Sequence, residues 1–126
     1  MPHPVGLFPI NTAVLDAVNG IKTRYCVTSV IDCIDRINDY TEFDQFVFMN
    51  SPMVQDAVIR NLQILSESTQ KLSESLKAEH PEIPWKAIAG FRNILVHNYL
   101  GLDLAQIWVV IANRLPQLRE SLEKLL

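Results

Sequence analysis

The sequence predicts an all-α protein, an antiparallel bundle of four or five helices folded as one domain over residues 1–126. Three observations carry that expectation. Apolar residues recur at spacings of three and four through nearly the whole chain, the period of a helix with one buried face. Capping and stop residues fall at the ends of those stretches. Four glycines in 126 residues are too few for the turns of an all-β fold.

Taken in order, residues 1–10 read as an irregular arm, with prolines at 2, 4 and 9. From Asn11 or Thr12, Val14, Val18, Ile21 and Tyr25 form an amphipathic stripe, which Gly20 is expected to split into two helices. A stronger helix follows to about Tyr40, with Val27, Val30, Ile34 and Ile37 inward and Asp32, Asp35, Arg36 and Asp39 outward. Phe43, Phe46, Val47 and Phe48 are expected to plug the end of the bundle. Ser51 and Pro52 then open a helix as cap and first residue. Its seam is Val58, Leu62, Leu65, Thr69, Leu72 and Leu76, and Pro81 ends it at His80. A third helix runs from near Pro84 to about Leu100, with Gly101 as a left-handed stop. The last opens at Asp103 with Gln106 three residues on, as in a capping box. It carries Leu104, Ile107, Ile111, Leu115, Leu118, Leu122 and Leu125, and Pro116 should kink it.

Composition narrows the function. With 48% apolar and 20% charged residues the chain is globular, not disordered. No uncharged run reaches the length of a membrane span, and the start lacks the basic region of a secretory signal. A cytoplasmic protein without a membrane role is expected. Cys26 and Cys33 lie seven residues apart, about 10.5 Å along a helix, beyond the reach of a disulfide. They read as core residues, and neither a metal site nor a cofactor is expected. The net charge of −3 argues against broad, charge-driven nucleic-acid binding. It is uneven: residues 1–80 carry −4 and residues 81–126 carry +1, which leaves room for a local basic site.

The informative segment is Phe91-Arg92-Asn93-Ile94-Leu95-Val96-His97-Asn98-Tyr99, where an Arg, two Asn, a His and a Tyr interrupt a helix that otherwise reads as core. On a straight helix Arg92 and Tyr99 project within about 20° of each other, and Asn93 and His97 within about 40°. Arg92 and His97 diverge by about 140°, so one helix does not easily aim both at one atom. Either the helix unwinds near His97, or two copies face each other and pool an Arg and a His, as a two-fold dimer would. Spacing alone also admits a structural role for all three: a snorkelling Arg92, a satisfied core His97 and a Tyr99 anchoring a helix end.

Arg92-Asn93, three residues, then His97-Asn98-Tyr99 resembles the R-x4-H-x-Y signature of HepT-like toxins in the HEPN superfamily. The segments from Asp56 to Leu62 and from Pro81 to Trp85 resemble further parts of that pattern in order. Trp108 followed by Leu115-Pro116-Gln117-Leu118 does too. The likeness runs from about Tyr25 to Leu126 and leaves residues 1–20 uncovered. Ser66-Glu67-Ser68 stands where the family usually reads Gly-Glu-Ala, so Glu67 matches and the glycine does not. Leu100 replaces a frequent aromatic residue.

The resemblance implies a HEPN-like homodimer acting as a metal-independent endoribonuclease toxin on RNA, with tRNA a candidate substrate. Arg92 and His97 would be catalytic, with Asn93, Asn98 and Glu67 in support. The implied partner is a MntA-like nucleotidyltransferase antitoxin that adenylylates Tyr99. The chemistry is compatible, because RNA carries its own nucleophile in the 2′-OH. A different class stays open beside it: a non-catalytic HEPN module that binds nucleotide or RNA, or docks a partner, without cleaving anything.

Overall fold

A computed structural model describes residues 11–126, apart from the side chain of Tyr99; the arm expected over 1–10 lies outside the described residues. Helix α1 spans Thr12–Thr41, and the Asn11 side chain caps it by accepting from the Val14 N–H at 2.9 Å. The break expected at Gly20 does not occur. One interior glycine costs only about 1 kcal/mol against alanine, and the continuing hydrogen-bond ladder on both sides absorbs it. The helix stops where Glu42 turns left-handed at φ 55° and its N–H reaches Asn38 O, with Phe43 following at φ 56°.

Helix α2 (Gln45–Asn50) is capped by Asp44, which accepts from Phe46 N–H at 2.8 Å. Of the cluster expected to plug the bundle, Phe48 does so fully and stacks on Trp108 with ring centroids 5.8 Å apart. Phe43 and Phe46 instead face solvent. A six-residue helix has one inward side, and residues two apart on it point nearly opposite ways.

The helix expected over 51–80 is two. Helix α3 (Pro52–Gln70) begins with the Ser51 cap and Pro52 in its first turn, as the sequence indicates. It tightens at Lys71 and Leu72, whose N–H groups bond Ser68 O and Thr69 O. Ser73 then caps helix α4 (Glu74–Glu79) through the Leu76 N–H. The break leaves the apolar step intact, with Leu72 buried and Leu76 against the core. Trp85 closes the next turn, its indole N–H donating to Lys77 O and His80 O.

Helix α5 (Trp85–His97) is shorter than expected. Asn98 leaves helical geometry, and a 3-10 turn over Tyr99–Gly101 follows, closed by Gly101 N–H to Asn98 O at 3.0 Å. That bond does the work assigned to a left-handed glycine, and Gly101 has no positive φ. Helix α6 (Leu104–Val109) starts at the Asp103 cap, which accepts from Ala105 N–H. It runs through a π-helical turn (Val110–Arg114) into helix α7 (Leu115–Glu123). The expected kink takes this form because Pro116 has no N–H and its ring crowds the Ala112 carbonyl. Leu115 N–H instead reaches back five residues to Val110 O.

The cross-links fix the arrangement. Ser29 and Ser68 bring α1 and α3 together at 3.4 Å, while the α1 residues Asn19, Lys22 and Thr23 border the Lys71–Ser73 turn. Gln63 reaches Leu95, and Glu67 reaches Arg92. Rising numbers on one helix meet falling numbers on the next, so α1, α3 and α5 are successively antiparallel. Arg119 of α7 ties back to Asp35 of α1 with two bonds at 2.9 and 3.2 Å. Val27, Val30, Ile34, Ile37, Val58, Leu62, Leu65, Leu95, Ile111 and Leu122 fill the centre. Cys26 and Cys33 are buried free thiols, and burial pushes the Cys33 thiol up from its ordinary value. Among the described residues no helix is long and apolar enough to cross a membrane.

Candidate active site

Arg92 and His97 stand on α5, one turn and a half apart, at the end where the helix unwinds. Leu95 points into the core with no exposure and sets the rotation of the helix. Gln63 of α3 reinforces that setting by donating to Leu95 O at 3.3 Å. With Leu95 inward, Arg92 falls on the flank facing α3. Its guanidinium lies 3.9 Å from Glu67 Oε1 and donates to Asn93 Oδ1 at 3.4 Å. Both contacts are long for charge-assisted bonds, so they position the group without saturating it. The Arg92 Nε is buried and has no hydrogen-bond partner among the described residues. A buried donor left unpaired is uncommon in folded proteins.

His97 is the last helical residue and is exposed, as are Asn93 and Asn98. The core-histidine reading is therefore excluded by burial. Arg92 keeps a foot in the interface with α3, which combines the snorkelling geometry with a fixed head group. The 140° divergence of Arg92 and His97 survives, because α5 stays helical up to His97 itself. The straight-helix geometry that relates Tyr99 to Arg92 stops short of it, since α5 ends two residues earlier. The Tyr99 side chain lies outside the described residues.

Ser66, which replaces a family glycine, is fully buried and donates to Gln63 O of its own helix at 3.0 Å. Its hydroxyl is satisfied locally, so α3 and α5 still meet. Sequence reasoning missed two neighbours, Gln63 and Gln106. Gln63 lies one turn before Glu67 on the same face of α3, and that spacing was the available signal. Asn98 lines an open groove together with Gln106, which the sequence offers only as a capping residue. No group of three or more His, Cys, Asp or Glu residues suited to a metal ion occurs among the described residues.

The fold and this polar helix end define a small all-α protein whose α3–α5 pair presents arginine, histidine and amide groups to solvent. The sequence profile described as Ribonuclease HepT-like matches residues 30–125, and the chain belongs to that family within the HEPN superfamily. Similar proteins include “Putative RNase MJ1380” of Methanocaldococcus jannaschii, 32% identical over 96 residues, covering 73% of this chain and 88% of the relative. “Putative RNase MJ0127” of the same organism is 35% identical over 95 residues, covering 75% of this chain and 76% of the relative. “Probable ribonuclease HepT” of Thermococcus cleftensis is 34% identical over 97 residues, covering 76% and 88%. No solved structure matches the chain.

Proposed function

We propose that this protein is a metal-independent endoribonuclease, the toxin of a toxin–antitoxin pair, working as a homodimer with Arg92 and His97 at the dimer cleft. The observation that carries the reading is Arg92, held beside Glu67 and Asn93 with a buried, unpartnered Nε. Family membership and the ribonuclease names of the relatives support the substrate class.

In the proposed reaction the 2′-OH of RNA attacks the adjacent phosphorus and the bond to the 5′-oxygen breaks. His97 takes the 2′-OH proton as the general base. The leaving 5′-oxygen receives a proton from the His97 of the second copy. Arg92 offsets the charge that builds on the phosphate oxygens. A facing pair of α5 helices answers the divergence of Arg92 and His97 within one chain. The partner is a MntA-like nucleotidyltransferase. An AMP attached to the Tyr99 phenol would add a phosphodiester charge able to occupy Arg92 in place of substrate.

The test is RNA incubation in EDTA with wild type, Arg92→Ala and His97→Ala, with helicity followed by circular dichroism. Each substitution should lower cleavage by about two orders of magnitude or more with helicity kept. Products should end in 2′,3′-cyclic or 3′-phosphate. Full activity in His97→Ala would end the catalytic reading. For the switch, Tyr99→Phe should cleave RNA yet resist the nucleotidyltransferase and ATP, gaining no AMP mass.

A further inference from the structure

Beside α5, on the flank away from Arg92, lies an open groove of about 490 Å³. Its wall is apolar, with Phe91 and Ile94 from α5, Ile107 from α6 and Val110 from the π-helical turn. Its rim is polar, formed by Asn98, Asp103 and Gln106. Asp103 spends one carboxylate oxygen on the Ala105 N–H. The side-chain amides of Asn98 and Gln106 have no hydrogen-bond partner among the described residues. The volume falls in the range of about 300–1,000 Å³ typical of small-molecule sites, and an apolar wall with a few convergent polar groups is their usual lining.

We propose that this groove is a nucleobase subsite that receives the base beside the scissile phosphate of single-stranded RNA. The proposal rests on the ribonuclease reading above and adds where the substrate is read. Around α5, His97 projects about 60° from Ile94 and about 140° from Arg92. A phosphate at His97 thus has the groove beside it on the same chain, while the guanidinium that meets it comes from the facing copy. RNA is read in sequence mainly through unstacked bases, which need a flat apolar surface and hydrogen-bonding groups at their edges. Phe91 and Ile94 offer the surface. Asn98 and Gln106 each offer a donor and an acceptor, and the second Asp103 oxygen accepts from an exocyclic amine. A base carrying an amino group is the best match.

Gly101 supplies the test. It lines the groove, its φ is not positive, and a Cβ there would meet nothing within 4 Å, so a side chain can be added without backbone strain. A random RNA pool is cleaved by wild type, Gln106→Ala and Gly101→Phe, and the cleaved ends are sequenced. Wild type should prefer an amino-bearing base at the cut, and both variants should reduce that preference by about tenfold. Wild-type cleavage without base preference, or variants that keep it, overturns the subsite. Gly101→Phe that alters only the sedimentation of the protein assigns the groove to a second copy and overturns it too. If wild type cleaves no RNA, the ribonuclease reading fails and the groove is judged separately. Titration with the four nucleoside monophosphates then follows the Gly101 and Gln106 backbone amides by NMR. Saturable shifts for one base, lost in Gln106→Ala, sustain the subsite, and their absence ends it.

Discussion

The two halves of α1 carry the same kind of stripe and meet opposite fates. Val14, Val18, Ile21 and Tyr25 step by four, three and four residues, yet all four are exposed, Ile21 at 71% and Tyr25 at 75%. Beginning two residues later, on the opposite side of the helix, Val27, Val30, Ile34 and Ile37 are each buried to within 1%. Periodicity dictates that a face exists, whereas burial requires a neighbour at the same height and on the same side of the helix. A 30-residue helix is about 45 Å long, and α3 with 19 residues reaches only about 28 Å along it. The overhang leaves Val14 and Val18 without a neighbour, while Tyr25, next to the buried Cys26, lies on the side of α1 turned away from the core.

Substitutions at matched positions sharpen that contrast. Ile34→Ala should show the largest effect, a loss of about 2–5 kcal/mol from vanished packing and the cavity left behind. Urea denaturation measures it, and a loss under 1 kcal/mol would place Ile34 outside the core. Asp35→Asn should come next, at about 1 kcal/mol or less. It removes a bidentate partner of Arg119, but that pair is half exposed and also shared with Glu123, so solvent screens it. Raised salt should shrink the difference between Asp35→Asn and wild type. Ile21→Ser should be smallest, within about 0.5 kcal/mol, because a residue already in water loses little. A larger loss with a concentration-dependent Tm would show a second chain covering this stripe, and the contrast between the halves would then belong to the monomer alone.

The candidate site was legible in part for the same reason. Arg92, Asn93, His97 and Asn98 stand out because polar types interrupt an apolar helix, and side-chain type is written in the sequence. The 140° angle between Arg92 and His97 was also readable, since it follows from helical period alone. Glu67 was singled out through family resemblance, and its proximity to Arg92 came only with the structure, because no local rule links residues 25 positions apart. The Gln63 bond to Leu95 O was not readable at all. It depends on the register of α3 against α5, which side-chain packing sets. Unwinding near His97 was one of two alternatives the sequence left open, while the helix bound near Leu100 was too long because Asn98 and Tyr99 fit a helical pattern; the 3-10 turn wins there through Gly101 N–H to Asn98 O.

By itself the sequence determined the helical class, the caps at Ser51 and Asp103, the buried seam through Leu62 and Leu65, and the distortion ahead of Pro116. Each follows from a local rule of period, hydrogen bonding or steric exclusion. Only the tertiary structure decided that the first stripe of α1 goes uncovered and that Arg92 lies against Glu67 with its Nε unpaired. The groove beside Asn98 was likewise decided there. Each of these depends on where separate helices end and how they register, and distances across a bundle leave no periodic trace in the chain.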